Sequence, residues 1–188
     1  MKIENVAVYG LNESIIASGY PMMKENQSLR RAEVLGNAML GSGHDCFLKG
    51  ITVQADVTAP QYWWLQFQRY HFADIISSES KMHCITKMNL EERCNSYVHE
   101  KILHVVDEIL QIYKKDPSPY KFQVLIANIP MGLMLKARIT TNYLQLKTMY
   151  YQRHNHKLKE WRTFCSWMEE LPLFKKIVIN GDRTNPNG

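Results

Sequence analysis

The chain has 188 residues, 45% apolar and 22% charged, a globular composition that excludes a disordered or fibrous protein. Lys plus Arg number 23 against 18 for Asp plus Glu, a net charge of +5, which suits an anionic ligand but is too small by itself to mark a nucleic-acid binder. No apolar run approaches the roughly 18 residues of a membrane span, and the four cysteines lack CxxC spacing, so they read as reduced thiols of a cytoplasmic protein, with no metal site expected.

In chain order, MKIENVAVYG mixes charge into its apolar positions and lacks a signal-peptide core. Residues 29–40 read as a helix ended by Gly41 to Gly43. Residues 50–57 form the clearest strand, because Ile51, Val53, Ala55 and Val57 alternate with polar residues. Pro60 then suits the first turn of a helix carrying Trp63, Trp64, Phe67 and Tyr70 at helical spacing. The longest helix is expected over about 91–114, on a stripe from Val98 to Tyr113. Asp116 to Pro119 is a sharp loop, and 122–129 and 131–139 have strand character. Thr141 or Asn142 could cap a helix through Tyr151. Leu158, Trp161, Cys165 and Met168 line a last helix ended by Pro172, and 174–179 is expected to return to the sheet. Strands and long helices alternate irregularly, which predicts an α+β fold with a mixed sheet, in one domain over 1–180 with a frayed tail at 181–188.

Several positions could carry chemistry. His44, in a Gly-rich loop before the main strand, could act on a ligand or be an ordinary loop histidine. Arg69, His71 and Lys81 crowd an aromatic helix end, with Gln66 one turn before Arg69. Together they suit a planar anionic ligand such as a nucleotide or flavin, or simply form a solvated face above an aromatic core. Ser77, Ser78 and Ser80 could donate to phosphate oxygens or be turn residues. The connection from Gln152 to His156 fits phosphate contact or an exposed loop, and its two histidines lack a carboxylate partner for a metal. There is no GxGxxG, P-loop or GxSxG, so redox chemistry would need a cofactor held some other way.

In their order and spacing these positions resemble the flavin-dependent thymidylate synthases, over roughly residues 29–170. Gly43-His44, Ala59-Pro60 and Arg69 fall at that family's spacing, and RYHFADIISSESK, Arg69 to Lys81, lies on its signature RHRxxSxNxxSxR. Asn142, Arg153 and His156 resemble its later Asn, Arg and His. The resemblance implies an α+β homotetramer that binds FAD and dUMP between subunits. Such a protein methylates dUMP to dTMP, with carbon from methylenetetrahydrofolate and hydride from NADPH through FAD. Carried over by position, Gln66, Lys81 and Arg153 would meet the dUMP phosphate and base. Arg153 would be the catalytic residue, stabilising developing negative charge on the pyrimidine. His44, Arg69, His71 and Asn142 would lie along the flavin.

The signature departs at Tyr70, His71, Asp74, Ile76, Glu79 and Lys81. Asp74 and Glu79 replace neutral hydroxyls, and at about 4 Å and an effective dielectric near 20 each would oppose a phosphate by roughly 4 kcal/mol. These departures carry an alternative: a non-catalytic homologue binding another nucleotide, a protein or a nucleic acid.

Overall fold

Alternating burial builds the centre of the fold. The computed structural model describes residues 1–179, and the tail expected at 181–188 lies outside them. In β2 (Thr52–Pro60) Val53, Ala55, Val57 and Ala59 are buried while the residues between them are half-buried. β2 pairs in register with β4 (Met134–Asn142), from Thr52 opposite Asn142 to Pro60 opposite Met134. β1 (Lys2–Tyr9) and β3 (Asp74–Ser78) complete a sheet of order β1-β2-β4-β3. The class is α+β as expected, but all these pairings are antiparallel rather than mixed. The sheet has no βαβ crossover to return a neighbouring strand in the same direction.

The apolar face receives α3 (Gln61–Phe67), α8 (Tyr143–Arg153) and α9 (Lys159–Glu170). At its centre Trp63, Trp64, Phe67, Trp161 and Phe164 pack ring against ring, with centroids 4.9 to 6.1 Å apart. On the other face Asp56 accepts hydrogen bonds from Asn5 at 2.7 Å and Arg138 at 2.9 Å, and both hold its carboxyl below the usual range. A smaller core lies between α6 (Glu100–Lys115) and α7 (Pro119–Asn128), around Val106, Leu110 and Leu125. α1 (Leu11–Ala17), α2 (Leu29–Gly36) and the single turns α4 (Lys81–Cys84) and α5 (Leu90–Arg93) complete the named helices. No helix among the described residues is long and apolar enough to cross a membrane.

Four further expectations are corrected. Residues 122–129 are helical: an apolar run fits either period, and here Ser118 accepts from the Lys121 amide at 3.2 Å while Pro119 opens the helix. The long helix begins at Glu100 rather than near 91, because Cys94 bridges to Leu133 and the Asn95 amide donates to the Gly132 carbonyl. Residues 174–179 do not rejoin the sheet. Lys175–Ile179 is one π-helical turn packed on α2, where any side chain at Gly36 would strike the Ile177 carbonyl. Finally, α2 stops at Gly36 rather than near residue 40.

Candidate functional site

The organising element is α8. Asn142 ends β4 and caps α8, its side-chain oxygen accepting from the Gln145 amide at 2.9 Å. One turn later Lys147 is buried, donating to Asp45 at 2.6 Å and to the carbonyls of Ala38 and Gly36 at 2.6 and 2.8 Å. This fixes the loop before β2 against α8 and leaves its next residue back, His44, exposed. The turn from Arg69 to Phe72 comes to the same region, since Thr141 donates to the Phe72 carbonyl at 2.9 Å. Arg69 and His71 are exposed, and Phe72 beside them is 73% exposed. The loop beside His44 is thus tied to the second turn of α8, and the turn from Arg69 to Phe72 to the end of β4 beside Asn142, with no hydrogen bond between the side chains of His44, Arg69, His71 and Asn142 among the described residues.

A second group forms at the other end of α8. Arg153 Nε donates to the Tyr70 hydroxyl at 2.7 Å, and Tyr70 donates to Gln152 at 2.9 Å. The guanidinium carbon lies 4.9 Å from the Trp161 ring centroid and 5.6 Å from that of Tyr70. Trp161 donates its indole N–H to Gln66 at 2.8 Å, so Gln66 and Arg153 are tied to one ring. The two terminal nitrogens of Arg153 donate to no protein atom among the described residues, which leaves the fork that grips carboxylates and phosphates available. Tyr70, at the position of the signature's histidine, is thus the clamp on Arg153. The sequence shows that substitution but not its partner.

His156 Nδ1 accepts from the Leu158 amide at 3.1 Å, so it acts as an unprotonated nitrogen. Burial, then Arg153, Arg162 and Lys157, lower its pKa from the ordinary 6.5. With the folded value below the unfolded one, the unfolded chain binds more protons, so this contribution to stability is present above pH 6.5 and declines as pH falls through that value. The urea midpoint is expected to drop between pH 7 and 5, and less steeply in His156→Asn, which keeps an acceptor that does not titrate. An unchanged slope in that variant would remove His156 as the cause.

Lys81 lies apart from both groups, in a cleft of about 410 Å³ between α3 and the β3–β4 edge. Gln61, Trp64, Gln68, Ser78 and Glu79 line it with Lys81, whose Nζ donates to Gln61. Ser77 and Ser78 belong to strand β3, not to a turn. Asp74 is exposed. Glu79 does not present the free charge expected of it: Arg93 pairs with it and the Lys136 amide donates to it at 2.8 Å. Arg93 carried no sequence signal, because it fell inside the helix expected from about 91. Its position and Glu79's are joined only by the fold.

No family model and no curated protein matches this sequence. Solved structures do match in shape, among them two of one enzyme. One is a flavin-dependent thymidylate synthase from Helicobacter pylori complexed with FAD and dUMP: TM-score 0.67 at 13% identity, covering 96% of this chain and 98% of that one. Another structure of that enzyme, again with FAD and dUMP, gives 0.69 at 15% identity, covering 95% and 98%. The chain has the fold of these enzymes.

Proposed function

We propose that this chain binds FAD and a pyrimidine nucleotide, dUMP or a close relative, and methylates the pyrimidine as flavin-dependent thymidylate synthases do. The observation that supports this most is Arg153, held by Tyr70 and Trp161 with its terminal nitrogens undonated. On a fold shared with enzymes complexed with FAD and dUMP, such a fork fits an anion and opposes negative charge developing on a pyrimidine ring. Lys81 and Ser78 would take the phosphate in the 410 Å³ cleft, where Arg93 has already neutralised Glu79. Gln66 and Arg153 would face the base.

The residues around the start of α8 fit a flavin: Arg69 supplies positive charge and His71 a second ring beside the exposed ring of Phe72, with His44 and Asn142 on adjoining segments. When bound, FAD reduced by NADPH would supply the hydride, with methylenetetrahydrofolate the carbon. Lys81 and Arg153 flank α3 separately within one chain, so a homotetramer, with the pocket closed between copies, is part of the proposal, and the cytoplasm is its compartment.

A second reading is favoured by Tyr70, which occupies one nitrogen of Arg153: a non-catalytic homologue that binds another nucleotide, or a protein or nucleic-acid partner. One series of measurements separates the two. Purified protein is expected to be yellow or to become so with FAD, and to oxidise NADPH only when dUMP and the folate are present. At a hundred times its Kd, dUMP is expected to add about 2.7 kcal/mol of stability, and Lys81→Ala to remove most of that gain. Stabilisation by a nucleotide other than dUMP, without NADPH oxidation, selects the second reading. Colourless protein that dUMP does not stabilise overturns both FAD and dUMP binding.

A further inference from the structure

Away from these residues, the segment before α2 folds into a concave surface of about 380 Å³ whose charges are all positive: Lys24, Arg30 and Arg31. The acids of this stretch, Glu25 and Glu33, do not line it, and Glu33 lies 3.9 Å from Lys176. None of the three cations belongs to an ion pair among the described residues.

Arg31 is built into the wall. Its guanidinium donates to Ser18 Oγ at 3.0 Å, to the carbonyls of Ile15 and Asn26 at 3.2 and 2.7 Å, and to Asn26 Oδ1 at 3.3 Å. Every one of these acceptors is neutral, so four of the five N–H groups are spent in fixing the side chain while its charge stays uncompensated, and it acts on a ligand through its field and one remaining N–H. The chain wraps it closely: at Gly19 a side chain would meet the Lys24 carbonyl and lie 2.8 Å from the guanidinium. The Lys24 amide donates to the Gly19 carbonyl at 3.1 Å, which brings Lys24 to the same rim. Arg30 stands in the first turn of α2, where the backbone amides add positive field. Met22 and Val34, 58% and 67% exposed, form an apolar flank.

A fixed cation without a counter-ion, two adjustable cations around it and an apolar flank match a ligand with adjacent negative charges on a flat or apolar body. We propose that this groove is a second ligand site, for a nucleoside diphosphate or a molecule of that class, separate from the dUMP cleft and the flavin residues. The linked phosphates lie against Lys24, Arg30 and Arg31, and the base or sugar lies against Met22 and Val34.

Calorimetric titration of the full chain with ADP, pyrophosphate and adenosine tests this. ADP and pyrophosphate are expected to bind one-to-one and adenosine not to saturate. Arg30→Glu and Lys24→Glu, at groups making no ion pair, are each expected to weaken ADP tenfold or more with Tm unchanged, a loss of about 1.4 kcal/mol or greater. Lys81→Ala is expected to leave ADP binding intact, so failure of the dUMP reading and failure of this one are told apart. Four results would overturn the site: no saturable binding, equal affinity in both charge reversals, displacement of ADP by FAD, or tighter binding of a single-stranded oligonucleotide than of ADP.

Discussion

Lys147→Met is expected to destabilise the chain by about 3–5 kcal/mol, the range for removing one partner of a buried ion pair. The side chains of Lys147 and Asp45 are 1% and 3% exposed, and their charged atoms are 2.6 Å apart. The variant strands the Asp45 carboxylate in the interior and also takes the donor from the carbonyls of Gly36 and Ala38. For a chain of this size about 2–4 °C of Tm accompanies each kcal/mol, so the midpoint should fall by roughly 6–20 °C. Lys147→Met combined with Asp45→Asn should recover part of the loss, because the buried negative charge is gone. A calorimetric loss below about 1 kcal/mol would mean that water or another cation reaches Asp45. The single variant should also free the loop bearing His44, so any FAD affinity should fall along with stability.

That ion pair shows what the sequence could and could not disclose. Lys147 and Asp45 are 102 residues apart, and each looks like an ordinary surface charge until the fold joins them. Local signals carried further. The alternation of Ile51 to Val57 identifies the central strand, and the cap of α8 is legible as Thr141 or Asn142, of which the structure uses Asn142, because capping is settled within three residues. Residues 122–129 misled because an unbroken apolar run lacks the polar positions that tell period 2 from period 3.6. β1 escaped notice because charges interrupt its apolar positions and a bulge between Glu4 and Ala7 shifts its alternation. The candidate site was legible as a set of positions and not as an arrangement. The family resemblance singles out Gln66, Lys81 and Arg153, but only the structure puts Gln66 and Arg153 on one tryptophan and Lys81 in a separate cleft. It also shows Arg93 cancelling the charge that counted against Glu79.

Trp161→Ala is the other large expectation, again about 3–5 kcal/mol, the cost of truncating a buried aromatic to alanine. Trp161 is fully buried, with ring centroids 5.0 Å from Trp63 and 5.7 Å from Tyr70. The hole would open beneath Arg153, which then loses its ring partner, and beside Gln66, which loses its indole donor. Trp161→Phe separates packing from positioning. It keeps an aromatic ring in the cluster and removes the hydrogen bond to Gln66, worth about 1 kcal/mol of stability. If Gln66 and Arg153 face a pyrimidine, the phenylalanine variant should stay folded yet lose dUMP affinity, and Gln66→Ala should lose it by a similar factor. Equal dUMP affinity in Trp161→Phe and the parent would detach this ring from ligand binding and leave it a purely structural part of the core. A Trp161→Ala protein within about 1 kcal/mol of the parent in urea titration would contradict the packing argument itself, because the cluster would then have closed around the lost ring at little cost.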